Sequence, residues 1–123
     1  MSKIEKTLVY DFDKLLTLIE EGVVNTSKTA TLEEATDFQS GNARCSIRVF
    51  ERYSLTGSNR LSLSVTLFRN GDEPIHLSAI TSGGAETAFF SYNTFGEIKF
   101  LDKFTEILCS DPQIGNQLKD STE

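Results

Sequence analysis

Residues 79–97, AITSGGAETAFFSYNTFGE, hold a Ser-Gly-Gly corner, four aromatic side chains and the spacing Thr94-x-x-Glu97. Backbone N–H groups around Ser82, Gly83 and Gly84 could form a nest for an anion ahead of a helix N-terminus. The plainer reading is a corner where a strand leaves its sheet, since glycine accepts a positive φ at little steric cost. Residues 85–93 separate the glycines from Thr94, whereas a phosphate loop leads straight into its helix, and this spacing favours the corner. Phe89, Phe90, Tyr92 and Phe95 read first as core that plugs the end between helix and sheet. Their second reading is the wall of a small apolar pocket.

Glu51 is the other residue whose position asks for chemistry. Strict alternation in ARCSIRVFERY sets Glu51 between Val49 and Tyr53, on the same parity as Cys45 and Ile47, and so on the core face. A carboxylate there either reaches water or an arginine, or sits in a sheet–helix cavity with a raised pKa. His76 is the single histidine and falls on the outer face near Ser64. A catalytic triad would need a nucleophile and an orienting acid to converge on it, and the sequence identifies neither, so no catalytic residue is assigned. Cys45 and Cys109 lie 64 positions apart (109 − 45) without the spacing of a zinc site, and read as small buried hydrophobes. No metal or cofactor is implied.

All five arginines lie between positions 44 and 69, where Glu51 is the only acid, so five minus one leaves that stretch at +4 in a chain of net charge −6. Parity puts Arg44, Arg48, Phe50, Arg52, Arg60, Phe68 and Ile80 together on the outer sheet face, among Ser62, Ser64, Thr66 and Ser78. Arginine and aromatic residues are enriched in protein interfaces. The expectation is therefore a non-enzymatic interaction module, a homo-oligomer with a dimer favoured, that associates through this face. The alternative is a small-molecule or lipid-type binding protein, or an enzyme, with a cavity around Glu51, Tyr53 and the aromatics of 89–95.

The elements that must position these residues follow from periodicity. KIEKTLV (3–9) reads as a short strand, and YDFDKLLTLIEEG as a helix capped by Asp11, with Leu15, Leu16, Leu18, Ile19 and Val23 on one face. Gly22 and Asn25 would loosen its end. Residues 28–39 fit either a short helix with a Thr31-x-x-Glu34 capping box or a strand, and the strand is preferred because strands follow. ARCSIRVFERY and RLSLSVTLF alternate with period two around the loop LTGSN. A bulged turn Arg69-Asn70-Gly71, with Gly71 left-handed, would face Val65 to Ile75, Leu63 to Leu77 and Leu61 to Ala79. Thr94-x-x-Glu97 opens a last helix that Asp111-Pro112 ends. The outcome is one α+β domain over 1–110, with a frayed polar tail over 111–123. It is a two-layer sandwich of order βαββββα, in which two helices cover one face of a four- to five-stranded antiparallel sheet.

Composition excludes several classes. At 38% apolar and 24% charged the chain is globular. Its acidic total disfavours nucleic acid and anionic membranes. No apolar run approaches the roughly 20 residues of a membrane span, and MSKIEKTLVYDF lacks a signal-peptide core, which leads to a cytoplasmic expectation.

ERYSLTGSNRLSLSVTL (51–67) and AITSGGAETAFFSYNTFGE (79–97) resemble a family of small uncharacterised bacterial proteins. The resemblance implies a bacterial cytosolic origin and a shared Ser-Gly-Gly corner, and transfers no activity. Separately, the element order is similar to the TATA-binding-protein-like and helix-grip folds, a likeness of topology that carries no function.

Overall fold

A computed structural model describes residues 1–53, 59–83 and 90–120, with side chains outside 90–95 and 120. The order is β1 (Ser2–Leu8), α1 (Phe12–Thr26), β2 (Thr31–Ser40), β3 (Ala43–Tyr53), β4 (Arg60–Asn70), β5 (Ile75–Gly83), α2 (Phe90–Cys109) and α3 (Pro112–Asp120). The five strands form one antiparallel sheet in the order β1-β5-β4-β3-β2. The segment that fits helix or strand is a strand, β2. The α+β sandwich is as expected, with a third helix added.

α1 begins where Asp11 accepts a hydrogen bond from the Lys14 N–H at 2.8 Å. Its stripe of Phe12, Leu15, Ile19 and Val23, spaced three and four apart, is buried. Gly22 does not loosen the end, for the helix runs on to Thr26. A Cβ at Gly22 would collide with Ile107 Cγ2, so this glycine lets α1 approach α2. α2 starts at Phe90, earlier than the Thr94 box. Glu97 does not close a cap; its carboxylate is buried and meets the Met1 ammonium at 2.9 Å.

Asp111-Pro112 is a start as much as a stop. Asp111 accepts from the N–H groups of Gln113 at 2.8 Å and Ile114 at 3.4 Å, and Pro112 occupies the first helical position of α3. The expected frayed tail is thus corrected up to Asp120: Ile114 and Leu118 are buried, and the Gln117 side chain bonds both backbone groups of Val9. Residues 121–123 lie outside the described residues.

The β4–β5 connection is longer than the bulged turn proposes. Gly71 does take a left-handed φ, at 61°, but the Glu73 N–H bonds Asn70 O and β5 begins only after Pro74. Val65 consequently faces Ala79, Leu67 faces Leu77 and Leu63 faces Thr81. Each β4 residue meets a β5 residue four positions beyond the expected one. An even shift preserves the face, so Leu61, Leu63, Val65 and Leu67 still point to the helices with Ile75, Leu77 and Ala79, all buried.

β3 does not keep its expected face. Tyr53 pairs with Arg60, leaving six residues, 54–59, between the strands where the five-residue loop LTGSN was expected. The pairing sets Phe50 opposite Leu63 and Arg48 opposite Val65. One residue of loop length therefore turns over every side chain of β3.

Candidate functional site

Because β3 is turned over, Arg44, Arg48, Phe50 and Arg52 lie on the helix side of the sheet, and their expected place on the outer face is corrected. Phe50 is fully buried. Long arginine stems can cover apolar surface while their heads find partners, and this is how three of them fit beneath helices. Arg44 lies over the Phe12 ring at 3.9 Å and pairs with Asp13 at 3.0 Å. Arg48 donates from Nε to Glu20 at 2.6 Å, and from Nη1 to the carbonyls of Thr36 at 3.2 Å and Ile47 at 3.0 Å. Its Nη2 meets Asp37 at 3.2 Å. The Ser46 hydroxyl donates to Asp37 at 2.5 Å, and this bond, seconded by Arg48, holds the Asp37 carboxyl below its ordinary range. Arg52 stacks on Phe100 at 4.3 Å, and burial pushes its pKa down.

Among the described residues no helix lies on the other sheet face. Strand pairing arranges its side chains in rows. One row runs Thr7, His76, Phe68, Cys45, Phe38, the next Glu5, Ser78, Thr66, Ile47, Thr36, and the third Lys3, Ile80, Ser64, Val49, Glu34. Phe38, Tyr53, Phe68 and Ile80 are exposed, Phe38 at 60%. Ile47, Val49 and Cys45 are half-buried among their neighbours. A shallow depression lies among Glu5, Thr66, Phe68, His76 and Ser78, with the Phe68 and His76 rings 6.3 Å apart between centroids.

Of the seven expected interface residues, Arg60, Phe68 and Ile80 are on this open face and the other four are not. Glu51 also lies here, facing away from the helices, paired with Arg60 at 2.5 Å; Arg60 also reaches Glu33 at 3.5 Å and the Tyr53 ring at 5.6 Å. The sheet–helix cavity containing Glu51 and Tyr53 is therefore corrected: both residues are on the wrong side of the sheet for it. Phe89 and the side chains of Phe90, Tyr92 and Phe95 lie outside the described residues. At the expected anion nest, Ser82 exchanges a hydrogen bond with Ser62 at 2.8 Å. Gly83 has φ 127°, and a Cβ on it would run into the Arg60 carbonyl. Gly84 lies outside the described residues.

His76 is exposed near Phe68, not Ser64, through the four-residue shift of β5. Neither cysteine is a fully buried hydrophobe: Cys45 is half-buried on the open face and Cys109 is exposed. Among the described residues no His, Cys, Asp and Glu side chains group to hold a metal ion, and no described helix is long and apolar enough to cross a membrane. The residues missed from the open face are Phe38, Ile47 and Val49. The parity of the β3–β4 connection is the signal that assigns them.

The fold, with one sheet face that no described helix covers, defines a two-layer α+β protein built on an antiparallel sheet. A model of a family of unknown function, DUF6054, matches residues 1–110 of the 123, and the chain belongs to that family. No curated protein and no solved structure matches the chain.

Proposed function

We propose that the protein is a self-association module whose partner is a second copy of the same chain, joined through the open sheet face. The observation that carries this reading is the patch of exposed and half-exposed apolar side chains, Phe38, Ile47, Val49, Phe68 and Ile80, spread over three adjacent rows of a face that no described helix covers. Five strands about 4.8 Å apart, with about nine residues at roughly 3.3 Å each, give a face on the order of 700 Å². One partner of a standard interface buries about 800 Å².

Charge order selects a copy over an unrelated partner. Lys3 and Glu34 stand at opposite ends of the third row, with Ile80, Ser64 and Val49 between them. Stacking two such faces about a two-fold axis along β4 brings Lys3 over Glu34 of the partner subunit, Ile80 over the partner's Val49 and Phe68 over the partner's Phe68. The patch is then its own complement, as an isologous interface requires.

Sedimentation velocity tests the reading. A dimer is expected, weakened by Phe68→Asp, weakened by Lys3→Glu and restored by Lys3→Glu with Glu34→Lys. A monomer at every concentration, or a dimer indifferent to these changes, would overturn it.

A further inference from the structure

The open face is not flat. Where β1, β5 and β4 run side by side, a depression of about 310 Å³ lies among Glu5, Thr66, Phe68, His76 and Ser78. Its shape follows from side-chain size: the short hydroxyl side chains of Thr66 and Ser78 face each other across β4 and β5, and the taller Phe68 and His76 face each other in the adjoining row. Those two rings, 6.3 Å apart between centroids and tilted by 33°, form an angled wall, and Glu5 closes the β1 end opposite Ser78. Solvent reaches all three walls: Phe68 is 40% exposed, the Glu5 side chain 65%, and His76 is exposed. Among the described residues the Thr66 and Ser78 hydroxyls and the His76 ring nitrogens meet no hydrogen-bond partner. Glu5 has only Lys3, at 3.6 Å, in an exposed pair that holds little.

We propose that this depression is a binding site for an arylalkylamine, a small organic cation that carries one aromatic ring. Its volume is at the lower end of ligand pockets, which run to roughly 300–1,000 Å³, and so it takes a small molecule. The Glu5 carboxylate is acceptor-only and matches an ammonium in a charge-assisted bond. Lys6 borders the depression too, but its register opposite the buried Leu77 turns its side chain to the helix side. A chain of net charge −6 draws cations and turns anions away. The exposed rings of Phe68 and His76 take a third ring in offset or edge-on contact, and the two hydroxyls serve a polar substituent on it, such as a phenol. An aliphatic amine would leave the rings uncovered, and an aryl carboxylate would set its charge against Glu5. The site needs one chain only and does not rest on the self-association reading, although both use the open face.

The test is titration of the isotope-labelled full chain with tyramine, butylamine and 4-hydroxyphenylacetate, read by NMR, with the subunit count taken by sedimentation velocity on the same samples. His76 is the only histidine, so its ring C–H signals report on the site directly. Tyramine is expected to shift them saturably, together with the amide signals of Glu5 and Ser78. Butylamine should bind more weakly, and 4-hydroxyphenylacetate should leave the signals in place. Glu5→Gln should weaken tyramine by roughly three- to tenfold, the loss of one exposed charge-assisted pair, and Phe68→Ala should also weaken it. Both residues are exposed, so neither change touches the core. Unmoved His76 signals at the highest tyramine concentration, equal binding of the carboxylate, or undiminished binding by Glu5→Gln would each overturn the proposal. The subunit count alone decides the self-association reading, since a chain that stays monomeric can still bind tyramine and a dimer can form without it.

Discussion

Arg48 in the middle of β3 donates to Glu20 on α1 at 2.6 Å, with its side chain buried beneath the helix layer. This pair ties the outward-reading arginine strand to the core side, and Asp37 on β2 holds the far end of the same guanidinium. The two carboxylates reach solvent while the cation does not. Loss of the cation is therefore the milder lesion. Arg48→Met, which keeps an unbranched stem, should cost within about 1 kcal/mol, while Glu20→Ala with Asp37→Ala, which strands the buried charge, should cost about 3 kcal/mol. Urea denaturation of both variants decides the order, and a reversed ranking would show that Arg48 acts mainly through packing.

The two faces of the sheet separate folding from association. Phe50→Asp puts a carboxylate against Leu63 in the core and should abolish the cooperative transition in thermal unfolding. Phe68→Asp changes an exposed ring and should keep the midpoint within a few degrees while reducing the dimer. Equal loss of folding in both would contradict the face assignment.

Gly22 offers a prediction against propensity. Alanine favours a helix interior by about 1 kcal/mol over glycine. Here its methyl group meets Ile107 Cγ2 across the α1–α2 contact, and overpacking costs about 1–3 kcal/mol. Gly22→Ala should be neutral to destabilising, and Ile107→Ala should be less harmful in its presence than alone. A double-mutant cycle without coupling would remove the contact from the argument.

The Tyr10 hydroxyl donates to Asp111 at 2.5 Å, joining the start of α1 to the cap of α3. The bond lowers the Asp111 pKa, helped by the Gln113 and Ile114 N–H groups, and raises that of Tyr10. The depressed carboxyl contributes stability above the unfolded value of about 3.9 that is lost as pH falls through the folded one. The raised phenol contributes stability below about 10 that is lost as pH rises through its folded value. Tyr10→Phe should flatten the alkaline limb of a plot of urea midpoint against pH and shrink the acid limb. An unchanged alkaline limb would mean that the bond is absent in solution.

Local chemistry determined much of this protein from its sequence. The Asp11 cap, the Leu15, Ile19 and Val23 members of the α1 stripe, the aliphatic face of β4 and β5, and the left-handed Gly71 are all settled by neighbours a few residues away. So is the family, from the 51–97 resemblance. The positive φ at Gly83, the last residue of β5, was legible because glycine accepts such a φ at little steric cost.

What tertiary structure decided was the side of β3. Its odd positions, Cys45, Ile47 and Val49, are more apolar than Arg48 and Arg52, and alternation alone turns them inward. The pairing of Tyr53 with Arg60 and the reach of Glu20 and Phe100 toward the arginines outweigh that preference. The partners of a long amphipathic side chain are distant in the chain, and a register follows from their sum. A periodicity of two fixes which residues share a face, while only the packed helices determine which face is inside.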